Sequence, residues 1–423
     1  MQDLQNWAGN YTYSAARLHR PETVEQVQEL VARSARVKAL GTRHSFNGIA
    51  DTTEDLLSLE HFDQVVSLDH ARNTVTVEAG IRYGHLSRYL SPLGYALHNL
   101  ASLPHISVGG ACATATHGSG DGNGNLATAV SALEMVIADG SLKSFSREQD
   151  GERFQGMVVA LGGLGVVTKL TLELSPAFEI RQDVYENLPL TELEENFDAI
   201  MSSAYSVSLF TDWRSANFNQ VWCKRRTTES DPFVPEASWF GATLATSSRH
   251  PLISLSAENC TEQMGRRGPW HERLPHFRMD FTPSSGEELQ SEYLVPRRHI
   301  IAALRAIHSL REQIAPLLQI SEVRTIAADD LWMSPCFKQP CVAIHFTWIK
   351  DWAAVREVLP LIEAQLAPFE ARPHWGKLFT MSPKQLQPLY EKLPEFQHLL
   401  QTCDPQGKFR NAYLARYLFD EQE

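Results

Sequence analysis

The chain has 423 residues, room for two or three domains with their own cores, and its 43% hydrophobic and 21% charged composition excludes both a disulfide-stapled miniprotein and a disordered chain. Lys and Arg number 38 against 50 Asp and Glu, a formal charge of −12, so the summed field repels nucleic acid and anionic lipid, and neither is expected as a partner. No stretch approaches the ~20 apolar residues of a membrane helix, and Met1-Gln2-Asp3-Leu4 lacks the basic and apolar regions of a secretory signal, so the cytoplasm is the expected location and six scattered cysteines are expected as free thiols.

Behind Pro21, Val24, Val27, Leu30 and Val31 fall at helical spacing, and Val37-Lys38-Ala39-Leu40 reads as a short strand running into Gly41. Val65 to Leu68 and Thr74 to Val77 predict a strand pair, residues 82 to 92 a helix, and Ala132 to Ile137 with Leu142 to Phe145 a hairpin about Asp139-Gly140. A helix over 152 to 160 ends at Gly162-Gly163. Val166 to Leu174 then alternates as a strand up to Pro176, so a first domain is expected to close near residue 178. Strand-like Ser206 to Phe210 and Gln220 to Lys224 precede a Pro- and Ser-rich region, 231 to 286, expected as long loops over a binding surface. Pro296 is expected to open a helix through Ile314, and a further helix covers 353 to 366. The pattern predicts an α+β protein with a substrate domain inserted after the first unit.

Several familiar chemistries lack their residues. Neither GxxxxGK[ST] nor a strand-borne GxGxxG occurs, and the run Gly118 to Gly124 has no Lys. Asp121, Asn123 and Asn125 imitate a calcium loop, but Leu126 and Ala132 stand where Gly and a bidentate Glu are required. In His271-Glu272-Arg273-Leu274-Pro275-His276 the histidines are five apart and a Pro intervenes, so no zinc helix is expected, and no metal is assigned. There is no GxSxG nucleophile elbow.

Four segments carry chemistry instead. Gly41-Thr42-Arg43-His44-Ser45-Phe46-Asn47-Gly48 is a tight polar turn after a strand, where backbone N–H groups can cradle an anion. From Ala101 to Gly120 small residues dominate, which lets main chain lie against a flat ligand, although close packing of a helix would use the same residues. In Glu322-Val323-Arg324 the charges share one strand face, as do His345 and Thr347 in Ala343-Ile344-His345-Phe346-Thr347-Trp348. In His374-Trp375-Gly376-Lys377 a lysine beside aromatic surface could be desolvated and its pKa lowered.

In this order, over nearly the whole chain, these segments resemble flavoenzymes of the vanillyl-alcohol oxidase type, and within them the alditol oxidases and aldonolactone oxidoreductases. Leu164-Gly165-Val166-Val167-Thr168, Ser208-Leu209-Phe210-Thr211-Asp212-Trp213 and Asp404-Pro405-Gln406-Gly407-Lys408-Phe409 add to the resemblance. It implies a two-domain FAD-binding fold with an inserted substrate (cap) domain: residues 1–178 for the main FAD part, 179–376 for substrate, and 377–423 returning to the FAD domain. It also implies FAD attached covalently to His44. The implied cofactor contacts are Gly41, Thr42, Arg43, Ser45, Ser102, Ser107, Gly110, Thr114, Thr116, His117, Gly118, Val167 and His374.

The reaction so implied oxidises the terminal primary hydroxyl of an alditol such as xylitol or sorbitol to the aldose, with hydride passing to flavin N5 and O2 reduced to H2O2. Lys377 and Arg324 are placed against the reacting hydroxyl, one assisting deprotonation and the other stabilising negative charge, with their assignment open. Ser102, Glu322, His345 and Thr347 would bind the remaining hydroxyls. A monomer acting on a small polyol and O2 is expected. An aldonolactone oxidase or dehydrogenase, and a non-catalytic sugar-binding flavoprotein, are the alternatives.

Overall fold

The computed structural model describes residues 4–227, 233–281 and 287–420. The first part of the chain builds two main sheets, besides a short pairing of Tyr95–Ala96 with Ser175–Pro176. Arg17–His19, Asp55–Ser58 and Val37–Leu40 form a small parallel sheet with Asp55–Ser58 in the middle. The helix Val24–Arg33, capped by the Thr23 side chain, buries Val27, Leu30 and Val31. A five-stranded antiparallel sheet follows in the order Val65–Asp69, Thr74–Glu78, Val166–Glu173, Val130–Val136, Leu142–Ser146. Alternation in Val166–Glu173 buries Val166, Thr168, Leu170 and Leu172 on one face, the pattern of a strand with one packed side.

Between residues 179 and 373 the chain forms a ten-stranded sheet. Its centre runs Asn217–Thr227, Ser206–Thr211, Leu318–Ile326, Cys341–Ile349, Glu288–Pro296, all antiparallel. One face packs on helices. Val323, Ile344, Phe346, Trp348 and Tyr293 belong to the main core with Ile300, Leu304, Val355 and Leu359 of two helices, and the Tyr293 hydroxyl donates to Glu363 on one of them (2.9 Å). The other face carries the polar residues of the site. Beyond the sheet, the C-terminal segment returns to the first part of the chain: Val37 N–H donates to Lys408 O (3.0 Å), and Asn411 Nδ2 donates to Gly48, Ile49 and Asp51 carbonyls (3.0, 3.1 and 2.8 Å).

The structure departs from the sequence reading in the middle of the chain. Pro296 ends the strand Glu288–Pro296 and caps a 3-10 turn, Arg297–His299, that runs into the α-helix Ile300–Ser309; the helix stops short of Ile314, and one separate turn, Arg311–Ile314, follows. The strand Glu179–Pro189 and helix Leu190–Met201 had no expectation attached. Of the region 231–286, residues 231–232 and 282–286 lie outside the described residues. The rest is irregular with three strands of two or three residues. Asp121 is taken by a bidentate pair with Arg297 (2.6 and 3.0 Å), which leaves no calcium-loop carboxylate at that position.

Candidate active site

Sheet register assembles the polar face. Glu322 stands opposite His345 on the neighbouring strand, and His345 stands opposite Glu292 on the next, so one row across three strands reads Glu322, His345, Glu292. The adjacent row is Ile320, Thr347, Gln290. Because alternate residues share a face, Arg324 joins Glu322 and Gln290 joins Glu292 on the cavity side. His345 Nε2 meets Gln290 Oε1 at 3.2 Å.

The loop after Arg372–Pro373 brings the last member. His374 N–H donates to Glu292 O (3.0 Å) and Leu378 N–H to Gln290 O (2.9 Å), which lays the HWGK turn along the sheet strand. Lys377 Nζ then donates to Glu292 Oε2 at 2.7 Å, while Arg324 Nη2 donates to Glu292 Oε1 at 2.7 Å. Glu292, 1% exposed, is the hub of the cluster, with His117 Nε2 3.4 Å from the same Oε1. Arg324 also donates through Nη1 to Ser102 Oγ (3.3 Å) and its Nε lies 3.5 Å from Glu322 Oε1.

Charge decides protonation here. Burial alone would raise the Glu292 and Glu322 carboxyls, but the cations beside them hold both well below the usual carboxylate range. Burial lowers the Lys377 pKa, and Glu292 only partly offsets it. Arg324, despite its burial, is raised by Glu322 and Glu292 and stays a cation. His345 is driven down by burial and then by Lys377, and His374 goes down to about 3, so both rings are neutral. Two carboxylates thus face two cations, and the site as a whole is neutral. Taking these charges out of water costs several kcal/mol each, which only such mutual pairing offsets.

The His44 turn forms the opposite wall. Trp7 stacks on the His44 ring (centroids 5.3 Å apart, planes at 20°), and Trp7 N–H donates to Arg43 O (2.8 Å), with Arg43 in the left-handed region at φ 61°. The turn is sewn to the HWGK loop: Phe46 N–H donates to Gly376 O (2.8 Å), and Asn47 Nδ2 to Trp375 and Lys377 carbonyls (2.9 and 2.8 Å). Burial first, then His105, pushes the His44 pKa down to about 4, and its Nδ1 has no partner among the described residues.

One cavity of about 400 Å³ joins the two walls. Every predicted site residue lines it except Gly118: Gly41, Thr42, Arg43, His44, Ser45, Ser102, Ser107, Gly110, Thr114, Thr116, His117, Val167, Glu322, Arg324, His345, Thr347, His374 and Lys377. Gly118 instead lets chain segments touch, since a Cβ there would sit 2.4 Å from Leu100 O and 2.5 Å from Asn99 Oδ1. Nor is the Ala101–Gly120 stretch a continuous N–H cradle, because Val108 and Gly109 donate to Ile81 O and Ala79 O. Gly118 serves packing alone, Gly109 packs on Ala79 and also lines the cavity, and Ser107 and Gly110 face the cavity. Lys377 also differs from expectation in its neighbours. Trp375 turns its Nε1–H to Met333 O (2.8 Å) and packs on Tyr390, so the Glu292 carboxylate, the Arg324 guanidinium and the buried His345 and His374 surround the lysine, not the Trp375 ring.

The residues present suit a flavin. Ser107 Oγ and His44 Nδ1 are buried polar atoms without partners, which a folded chain tolerates where a ligand completes them. Gly41 lines the same cavity, and having no side chain lets Ser107 approach it, since a Cβ there would lie 2.5 Å from Ser107 Oγ.

Comparison with known proteins agrees. A family model described as an FAD binding domain matches residues 15–146, and one described as D-arabinono-1,4-lactone oxidase matches residues 281–417. An alditol oxidase from Streptomyces sp. is 51% identical over 419 residues, covering 98% of this chain and 99% of its own. The chain belongs to the alditol oxidase family of vanillyl-alcohol oxidase-type flavoproteins. More distant kin include the L-gulonolactone oxidase of Bos taurus and an L-gulono-1,4-lactone dehydrogenase of Mycobacterium tuberculosis, each 26% identical with 98% of both chains covered. A cholesterol oxidase from B. sterolicum shares the fold, with a TM-score of 0.80 at 14% identity over 99% of this chain and 96% of that one. This alditol oxidase family member is an oxidoreductase whose cofactor is FAD.

Four residues of the site escaped the sequence reading: Glu292, Gln290, His276 and Trp7. Glu288, Gln290 and Glu292 alternate at i, i+2 and i+4, the same signal that identified Glu322 and Arg324.

Proposed function

We propose that the protein oxidises the terminal primary hydroxyl of neutral polyols such as xylitol or sorbitol to the aldose, with O2 as acceptor. The observation that supports this best is the paired cluster Glu322, Arg324, Glu292 and Lys377 on one wall of a cavity whose other wall is the His44 turn. A site with balanced charge suits an uncharged substrate, and its carboxylate and imidazole edges suit hydroxyl groups.

Residues 41–45, Ser102, Ser107, Gly110, Thr114, Thr116, His117, Val167 and His374 would hold FAD, with His44 as its point of attachment, and the flavin would supply a two-electron acceptor for the alcohol's hydride that O2 can reoxidise, giving H2O2. Lys377, a cation at rest beside Glu292, takes the hydroxyl proton after releasing its own, which burial favours by lowering its pKa and which Arg324 cannot do. Arg324 steadies the negative charge that builds on the oxygen. Glu322, His345, Thr347 and Ser102 hold the other hydroxyls, and a substrate without them leaves buried polar groups unpaired, which costs about 1–3 kcal/mol each.

The finer assignments are a monomer, an FAD unit of residues 1–178 and 377–423 around a substrate unit of 179–376, and a cytoplasmic location, to which six free cysteines are suited. Among the described residues no helix is long and apolar enough to cross a membrane. Oxygen uptake with peroxide release on a panel of polyols and aldonolactones tests the activity. Turnover of polyols supports it; turnover of lactones alone transfers the protein to its more distant kin, and no turnover of either removes the proposal.

A further inference from the structure

Behind Glu322, on the side away from Lys377, lie two buried groups with no place in the reaction above. Lys224, on the strand Asn217–Thr227, is 1% exposed, and its Nζ contacts Leu274 O (2.6 Å), Pro275 O (3.0 Å) and His276 Nδ1 (3.1 Å). His276 is 5% exposed, and its Nε2 meets Glu322 Oε1 at 2.7 Å. The ring is wedged between Phe210 and Trp222, both edge-on to it, with centroids 5.4 and 5.2 Å away. Its backbone is tied to the substrate wall, because His276 N–H donates to Ser102 O (3.2 Å).

The tautomer of His276 is fixed from both ends. Glu322 is an ionised carboxylate and can only accept, so Nε2 must carry the proton. The Nδ1 lone pair then faces Lys224 Nζ, which has three acceptors around it; burial lowers the Lys224 pKa to about 7, and the group donates N–H as ammonium or as amine. Glu322 Oε1 is thereby committed to His276 and Arg324, whereas Oε2 has no protein partner among the described residues.

We propose that Lys224 is a positioning residue that acts through His276: by donating to Nδ1 it keeps the Nε2–H on Glu322, and so holds the carboxylate with one oxygen free to accept a hydroxyl hydrogen of the substrate. The role rests on the reading of the cavity as a polyol site. It belongs to recognition of substrate hydroxyls away from the reacting carbon, so its loss raises KM and leaves kcat comparatively intact. Without Lys224 the ring can carry its proton on Nδ1, toward the Leu274 and Pro275 carbonyls, and Nε2 then presents a lone pair to a carboxylate.

The test combines kinetics with a spectroscopic readout on the FAD-loaded enzyme. Histidine 15N resonances, assigned with His276→Gln, are expected to show Nε2 protonated in the native protein and a mixed or Nδ1-protonated ring in Lys224→Met. With xylitol, Lys224→Met is expected to raise KM about tenfold with kcat changed less than about threefold, the pattern of lost ground-state binding. Since a buried lysine can be needed for folding, a second pair guards the inference: His276→Phe is expected to show the same rise, and His276→Gln, which keeps a donor toward Glu322, to recover most of it. A native ring protonated on Nδ1, or His276→Gln no better than His276→Phe, overturns the role of Lys224. Absence of polyol turnover by the native enzyme overturns instead the polyol reading on which it rests.

Discussion

Replacing Glu292 by Gln probes the proton acceptor directly. Lys377 Nζ lies 2.7 Å from Glu292 Oε2, and the carboxylate favours the charged lysine. Removing it lowers the Lys377 pKa further, so the neutral, proton-accepting amine appears at lower pH and the acidic limb of kcat/KM moves toward acid. Two unit charges at that separation attract by about 6 kcal/mol at an effective dielectric of about 20, an upper bound because Gln keeps an acceptor and water can enter. A third of that figure, about 2 kcal/mol, corresponds to a displacement of about 1.5 pH units. Plateau kcat/KM is expected to fall about tenfold as well, since Arg324 loses a partner and the site gains net positive charge. The assay is oxygen uptake on xylitol across pH for native enzyme, Glu292→Gln and Lys377→Met, the last expected to lose 10²–10⁴ in kcat, about what a positioned base supplies. An acidic limb that stays put in Glu292→Gln, or moves toward alkali, would refute Lys377 as the acceptor.

Other outcomes follow from single residues. His44→Ala should release its flavin on acid precipitation, whereas native protein should keep it in the pellet; flavin retained by the variant places the linkage elsewhere. Glu322→Ala strands His276 Nε2, takes the carboxylate from beside Arg324 and removes a hydroxyl acceptor, so KM for xylitol should rise about 10–100-fold, and an unchanged KM contradicts substrate binding there. Gly41→Ala puts a Cβ 2.5 Å from Ser107 Oγ and should lower the flavin-to-protein absorbance ratio of the purified enzyme, while full flavin content would show that the turn does not hold the cofactor.

Much of the site was legible because strand alternation is a local signal. Glu322 with Arg324, and His345 with Thr347, announce a polar face from two-residue spacing alone, and register then sets them side by side. Glu292 carries the same spacing with Gln290, but the strand ends in Pro296, which reads as a helix start when the five apolar positions Ile301, Leu304, Ile307, Leu310 and Ile314 after it recur with helical period. His276 enters the sequence reading only as one end of the near miss for a zinc helix. Its actual partner, Glu322, is 46 residues away, a pairing only the fold creates. Trp7 sits before any recognisable element, and nothing local marks it as the residue that stacks on His44. The glycines of the 101–120 stretch divide between packing and cavity according to which chain lies beside each, which composition does not encode.

The most direct measurement is anaerobic mixing of the yellow enzyme with xylitol, followed at the flavin absorbance band. Rapid bleaching in native enzyme, recovery of colour with one peroxide per flavin when oxygen is admitted, and loss of bleaching in Lys377→Met are predicted. Native enzyme that stays yellow with every polyol tried would contradict polyol oxidation at this cavity.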